Sequence, residues 1–445
     1  MLDPDLKFTE EQLRHWKLVQ HFQRILQRHL KSAPRSRTEQ DPRRKLSCES
    51  YFSLFLFSLF NPIITSMRGL CAASKFKGLR AVSEHPVTPG SFSEAQHQFD
   101  SQILGAVARD LAEQARGQAT FGDPQIRAAV QALTLVDGSV FRAVQRMAWA
   151  PAAGFGCAVR LHLHFAAFDQ IPTDWSVTPG NVSERKELQK KKPPKGSFVV
   201  ADRHYSQDHQ YLKQLQNGGV DFVLRLFGNV TRQPVEAPRP LSAEDRQAGV
   251  VSDRIEELGC LGGGPVLRVV EIHAAGNIFV LATTRHDLPA HLIGLIYRYR
   301  WQIELFFQWL KTTLTCGHWL AESPAGVAIQ IYSLLIAALL LILGTGGRPN
   351  KRQVEALRFF WMGFIDEDEL LQSFPAQKKQ VIRRWAGSKR TCSQRSFLWS
   401  RRTASRKKPR PPFQQPNPSP ALARSIIPAE QSWCLSVVSL FNCRI

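Results

Sequence analysis

The sequence contains no Cys-x-x-Cys pair, although it has 8 cysteines. Zinc-ribbon and thioredoxin-like sites are thereby excluded. The thiols are scattered over Cys48, Cys71, Cys157, Cys260, Cys316, Cys392, Cys434 and Cys443, which fits a reducing cytoplasm better than a disulfide framework. The opening residues, MLDPDLKFTEEQ, lack the basic stretch and apolar run of a secretory signal. No internal repeat is visible. Long apolar runs are scarce. Residues 51–60 (YFSLFLFSLF) are too short to span a bilayer, and residues 327–343 (VAIQIYSLLIAALLLIL) are borderline and carry Gln330, Tyr332 and Ser333. A buried core helix is a better reading of the second run than a membrane span.

What the chain does have is positive charge. Lys and Arg number 58 against 37 Asp and Glu in 445 residues, a formal net charge of +21. That excess points to a polyanionic partner, either nucleic acid or an anionic membrane surface. A hydrophobic content of 43% supports a sizeable core. Wholly disordered, collagen-like and small disulfide-stapled chains are therefore excluded, and the length suggests two or three domains at ~150 residues each. The charge is uneven. Residues 378–410 hold thirteen Lys and Arg and no Asp or Glu. Such blocks are usually solvated and disordered. If this one touches DNA, deleting residues 378–445 makes the salt dependence of binding shallower, by ~0.9 for each phosphate no longer neutralised.

The pattern along the chain is helical over residues 1–128, with a polar, basic linker at 34–45. Ser91 and Glu94 read as a capping box. Strands then alternate with helices, which implies an α/β layer structure. Residues 132–136, 157–165, 197–201, 221–226 and 278–284 read as strands. Residues 228–275, with Pro234, Pro238, Pro240 and the Gly262-Gly263-Gly264 turn, read as a β-rich insertion. The expected organisation is a helical N-terminal DNA-binding region (1–128), an α/β core in two parts (129–227 and 276–345) around the insertion (228–275), a helical segment (346–386) and a basic, disordered tail (387–445).

Three acids fall where such a fold collects catalytic groups. Asp137 and Asp202 each follow a hydrophobic strand, and strand ends are where open α/β sheets place functional residues. Glu304 lies within a long helix expected over about 289–314. At ~100° per residue, Tyr297, Arg300, Glu304 and Lys311 fall at roughly 0°, −60°, −20° and −40°, with Trp301 and Gln308 beside them and Ile303, Phe306 and Leu310 opposite. Carboxylates from separate elements suit hard divalent cations, and two such ions can drive phosphodiester chemistry. Plainer readings stand beside this one. Asp137-Gly138 is also a hairpin signal, Asp202 could cap a helix, and the helix stripe could be a solvated face with Arg300 and Glu304 paired.

The spacing Tyr297-x2-Arg300-x3-Glu304-x6-Lys311 resembles the YREK signature of the DDE transposases of insertion-sequence family four. LTLVDGSVF around Asp137 and FVVADRHY around Asp202 resemble that family's two aspartate motifs. The resemblance covers roughly residues 45–345. It implies an RNase H-like core with Asp137, Asp202 and Glu304 as a triad holding two Mg²⁺ or Mn²⁺. It also implies DNA contacts from Tyr297, Arg300 and Lys311, with Trp301 and Arg203 as neighbouring candidates. Trp175 and Trp301 could receive a flipped base, although a core role is favoured for both. The activity implied is cut-and-paste transposition in the prokaryotic cytoplasm, at the nucleoid. Water hydrolyses one strand, the 3′-hydroxyl forms a hairpin on the other, and the reopened ends join target DNA within a homodimeric synapse of terminal inverted repeats. The alternative is an inactive DNA-binding remnant; a membrane protein would make the triad accidental. Two departures from the family stand out: His204 occupies the usual glycine of the second motif, and the composition beyond about residue 387 is foreign to it.

Overall fold

The computed structural model describes residues 17–375, apart from 34–40, 42–43, 62, 81, 119–120, 153, 155, 260–261, 275, 315–317 and 363. The cation-rich stretch 378–410, the tail 387–445, most of the 34–45 linker and five of the cysteines lie outside the described residues. Among the described residues, Cys48, Cys71 and Cys157 form no disulfide.

The N-terminal part is helical: α1 (Lys17–Ser32), α2 (Cys48–Phe60), α3 (Met67–Ala73), α4 (Pro89–Gln98), α5 (Ser101–Ala115) and α6 (Pro124–Ala129). The start of α4 corrects the capping-box reading of Ser91. Thr88 is the cap, its hydroxyl accepting from the Ser91 amide at 3.2 Å, and Pro89 is the first helical residue. Proline lacks the N–H that this position leaves unpaired anyway, so it opens the helix. In α2, Tyr51, Phe52 and Phe55 are fully buried, with Tyr51 edge-on to Phe55 and close to Phe92 and Phe99.

Nine strands then form one sheet. They are β1 (Thr134–Arg142), β2 (Ala158–Ala166), β3 (Ile171–Pro179), β4 (Phe198–Ala201), β5 (Asp221–Arg225), β6 (Arg232–Pro234), β7 (Val250–Leu258), β8 (Val266–Ala274) and β9 (Asn277–Thr283). Their spatial order is β3-β2-β1-β4-β5-β9-β8-β7-β6. The first three are antiparallel, β4 is parallel to β1, and β5 is parallel to β4. The two parallel steps require crossovers, supplied by α7 (Glu184–Lys190) and α8 (His209–Asn217). Every residue of β4 is buried, as a parallel strand covered on both faces should be. This is the α/β, RNase H-like arrangement expected. The strands from residues 228–275 continue the same sheet through β9, which pairs antiparallel with β5. The short helix α9 (Ala243–Gln247) lies among them.

One expectation about β1 is corrected. Asp137 is not at the end of the strand: β1 runs on to Arg142, with Asp137 opposite Leu163 and Gly138 opposite His162. No hairpin turn forms at Asp137-Gly138. The two neighbours of β1 differ in length. β2 pairs along all of it, whereas the β4 ladder covers only Thr134 and Leu135. Asp137 therefore sits just beyond the point where β1 loses its parallel partner.

The long helix expected over about 289–314 is two helices, α10 (Ala290–Arg298) and α11 (Trp301–Thr313). The backbone stays right-handed, but the hydrogen bonds tighten to i→i+3 across the junction, from Tyr299 N–H to Ile296 C=O through Ile303 N–H to Arg300 C=O. Tyr299 is anchored away from the helix, its hydroxyl accepting from the Asp123 amide and its ring meeting Phe121 and Phe168 edge-on. That anchor is the local reason for the overwound turn. On α11, Ile303, Phe306 and Leu310 are fully buried, as the apolar face requires.

The apolar run 327–343 lies in α12 (Pro324–Thr345). It is long and apolar enough to cross a membrane by composition, yet 94% of its apolar window is buried inside the protein. It packs on α1, α2, α4, α5 and β3. The helices α13 (Lys351–Trp361) and α14 (Glu367–Gln372) follow.

His162 and His164 on β2 carry a pH prediction. Burial, only partly opposed by Glu187 and Asp174 respectively, pushes each down to about 4 from 6.5. Nε2 of His162 meets the Thr178 hydroxyl at 2.8 Å, and its Nδ1 is buried without a partner among the described residues. Both imidazoles are neutral in the fold but take a proton in the unfolded chain below 6.5. Their stability contribution is therefore complete above pH 6.5 and is lost as pH falls toward 4, by roughly 3 kcal/mol each. Urea midpoints measured across that window should fall with pH, and the fall should be shallower in His162→Gln and His164→Gln.

Candidate active site

Asp137 and Asp202 come together through the β1–β4 register. Leu135 pairs with Val200; continuing two residues along both parallel strands sets Asp137 opposite Asp202. Asp202 follows Ala201, the last residue of β4. It does cap a short 3₁₀ turn (Arg203–Gln207), accepting from the His204 amide at 2.8 Å. The cap reading is therefore correct, and the same residue also stands at the strand end. His204 turns its ring back so that Nδ1 lies 2.9 Å from the second Asp202 oxygen, and its ring meets Phe227 edge-on. The residue that departs from the family pattern thus pairs with the second aspartate.

Glu304 is one turn into α11 and is held by Arg300, whose Nη1 donates to Oε1 at 2.5 Å. Arg300 is the hub of the site. Burial opposes its charge, but Tyr297, Glu304 and Asp137 together hold it firmly protonated. Tyr297 is buried and hydrogen-bonds to Arg300. Since Tyr297 lies on α10, before the overwound turn, the single helical stripe read from sequence is two segments that meet at Arg300. Lys311, farther along α11, donates to the Val140 carbonyl at 2.7 Å and lies 4.8 Å from the centroid of the Phe141 ring. It thus ties α11 to the half of β1 that has no parallel neighbour.

The electrostatics match a concentrated anionic pocket. Burial pushes the Asp137 carboxyl up to about 7; Arg300 pulls it back, and Glu184 and Asp202 add to the rise. Among the described residues, no three His, Cys, Asp or Glu side chains stand close enough to hold one metal ion. Glu304 in particular is paired with Arg300. Trp175 is buried beneath the guanidinium of Arg109, at 5.8 Å from its ring centroid, which fits the favoured core role. Trp301 is partly exposed at the start of α11. Arg203 stacks over Phe227 at 5.4 Å.

Glu184, the first residue of α7, was missed by sequence reasoning. Its carboxylate receives Arg160 Nη1 at 2.6 Å, and burial, partly offset by Arg160, raises its pKa. It lies against the backbone beside Asp137: a Cβ placed on Gly138 would come within 2.7 Å of Glu184 Oε1 and 2.9 Å of its Cγ. The glycine after Asp137 is thus the space in which Glu184 sits. Its 46-residue separation from Gly138 left no local signal. Gly138→Ala should displace Glu184 and cost about 1–3 kcal/mol of stability through overpacking. In Glu184→Ala the same added methyl should cost far less, which a urea-midpoint comparison of the four chains reads directly.

The chain is also similar to known proteins. Residues 129–340 match the family described as the transposase DDE domain. The chain is 26% identical over 231 residues to y4zB of Sinorhizobium fredii, which is named as a transposase, covering 51% of this chain and 64% of that protein. It is 23% identical over 251 residues to a Geobacillus stearothermophilus protein named for insertion sequence element IS5377, covering 56% and 64%. It is 24% identical over 257 residues to the transposase for insertion sequence element IS421 of Escherichia coli, covering 48% and 68%. The match spans less than two thirds of the first two relatives. The resemblance to DDE transposases of insertion sequences is borne out by these matches.

Proposed function

We propose that the chain catalyses cut-and-paste transposition of its own insertion sequence, with Asp137, Asp202 and Glu304 as the acid triad. The observation that carries this reading is the parallel β1–β4 register, which ends at Leu135 and Val200, two residues short of Asp137 and Asp202; Arg300 joins Glu304 to Asp137. The donor set fits hard divalent cations: all three are carboxylates, and a bound cation would offset the burial, and secondarily the neighbouring acids, that raise Asp137. When bound, two Mg²⁺ or Mn²⁺ ions would activate the attacking oxygen and stabilise the leaving one. Arg300 releases Glu304 toward the aspartates as its guanidinium turns to a phosphate; its Nε is buried with no partner among the described residues, and arginine grips phosphate in a fork. Tyr297 orients that guanidinium. Lys311, Trp301 and Arg203 complete the DNA contacts, and a homodimer pairs the two transposon ends in the cytoplasm.

The test is incubation of the full chain with duplexes ending in the inverted repeats that flank its gene. Divalent-dependent nicking, then a hairpin and a joined product, is the expected result. DNA binding with no cleavage in Mg²⁺ or Mn²⁺ would leave the inactive remnant as the answer.

A further inference from the structure

The segment formed by α7 and the start of its link to β4 has no part in the proposed triad, yet its charge is one-sided. Residues 185–195 carry Arg185, Lys186, Lys190, Lys191, Lys192 and Lys195 against one acid, Glu187. Glu187 is buried, taking hydrogen bonds from Ser176 and Lys190. Lys191 is spent on Asp174 at 2.8 Å and the Trp175 carbonyl at 2.6 Å. Lys186, Lys192 and Lys195 are exposed, and among the described residues none of them pairs with an acid. A face kept for solubility mixes both signs; here the one acid is turned inward and the outward charge is all positive.

The segment is also held in place. Lys192 precedes Pro193-Pro194, which favours an extended backbone. The Ser197 hydroxyl donates to the Pro194 carbonyl at 2.7 Å, the Gly196 amide donates to the Gly219 carbonyl at 2.8 Å, and the Lys195 stem lies over Gly219. Its start is at the site. α7 begins with Glu184, whose pKa is raised in part by Asp202, and seven residues of helix span only about 10 Å.

We infer that residues 185–195 form a phosphate track, along which the backbone of duplex DNA runs away from the carboxylates with Lys186, Lys192 and Lys195 as its contacts. This rests on the proposed function and adds the surface that carries the DNA. The contacts are to phosphates, so they position the duplex without reading sequence.

The experiment measures the affinity of the full chain for duplex DNA against salt, with a cognate end and with an arbitrary sequence. The triple variant Lys186→Ala/Lys192→Ala/Lys195→Ala should lower the log–log salt slope by about 2.7, from three phosphates at ~0.9 each. Affinity should fall equally for both duplexes. Lys192→Ala alone should lower the slope by ~0.9, which keeps the test available if the triple variant folds poorly. An unchanged slope overturns the inference, as does a loss confined to the cognate sequence or a loss seen only on anionic phospholipid vesicles. A wild-type chain that binds no DNA would instead overturn the proposed function.

Discussion

Asp137→Asn and Glu304→Gln are each expected to reduce divalent-dependent nicking by on the order of a thousandfold, about 4 kcal/mol of barrier, while leaving binding to the duplex intact. Both substitutions keep the shape of the side chain and remove its charge. The two should differ in the metal-free protein. Asp137 is half-buried near Asp202 and Glu184, and its raised pKa means that its charge is poorly accommodated without a cation. Glu304 already has a counter-ion in Arg300. Asp137→Asn should therefore hold or raise the melting temperature, whereas Glu304→Gln should lower it by leaving Arg300 without its carboxylate. Wild-type nicking rates in either variant would remove the triad from the mechanism.

Arg268→Met is expected to be the most damaging single change to the fold. Arg268 on β8 and Asp253 on β7 are 2% and 4% exposed, and they pair through two bonds, Nε to Oδ1 at 2.9 Å and Nη2 to Oδ2 at 2.8 Å. Nη1 donates to the carbonyls of Arg285 and Leu288. The methionine would strand a buried carboxylate, at a cost of about 3–5 kcal/mol. The double variant Arg268→Met/Asp253→Leu should recover most of that loss, because the charges leave together. Urea midpoints for the two singles and the double close the cycle. The effect should also reach the active site: Arg285 and Leu288 belong to the link between β9 and α10, and α10 carries Tyr297.

β1, β2, β4, β5 and β9 were legible because each has a short apolar or alternating run, whereas β6, Arg-Gln-Pro, has none; the helical N-terminal region was legible because its apolar residues recur at helical spacing. The residues of the proposed triad drew attention as types in a pattern. What sequence could not show was how long each strand's neighbours are. A run ending in Asp-Gly looks finished, but β1 continues because β2 is longer than β4, and that difference is set by residues far along the chain. The break at Tyr299 was hidden for a related reason. The helical periodicity of 289–314 is unbroken, and the overwound turn comes from an anchor on Asp123, 176 residues away. Glu184 was invisible because it belongs to the site only through the empty space at Gly138. The role of His204 needed the direction in which its ring turns.

The burial of α12 sets an order of events during synthesis. Its partners α1, α2, α4 and α5 all precede residue 116, while α12 ends at Thr345. At about 5–20 residues per second, Tyr51 leaves the ribosome roughly 15–60 s before Thr345 does. Throughout that interval the faces of α1, α2, α4 and α5 that α12 covers are without it, and the contacts that close them are among the most distant in sequence. A message interrupted before codon 345 should therefore yield N-terminal helices without the full α12 that covers them.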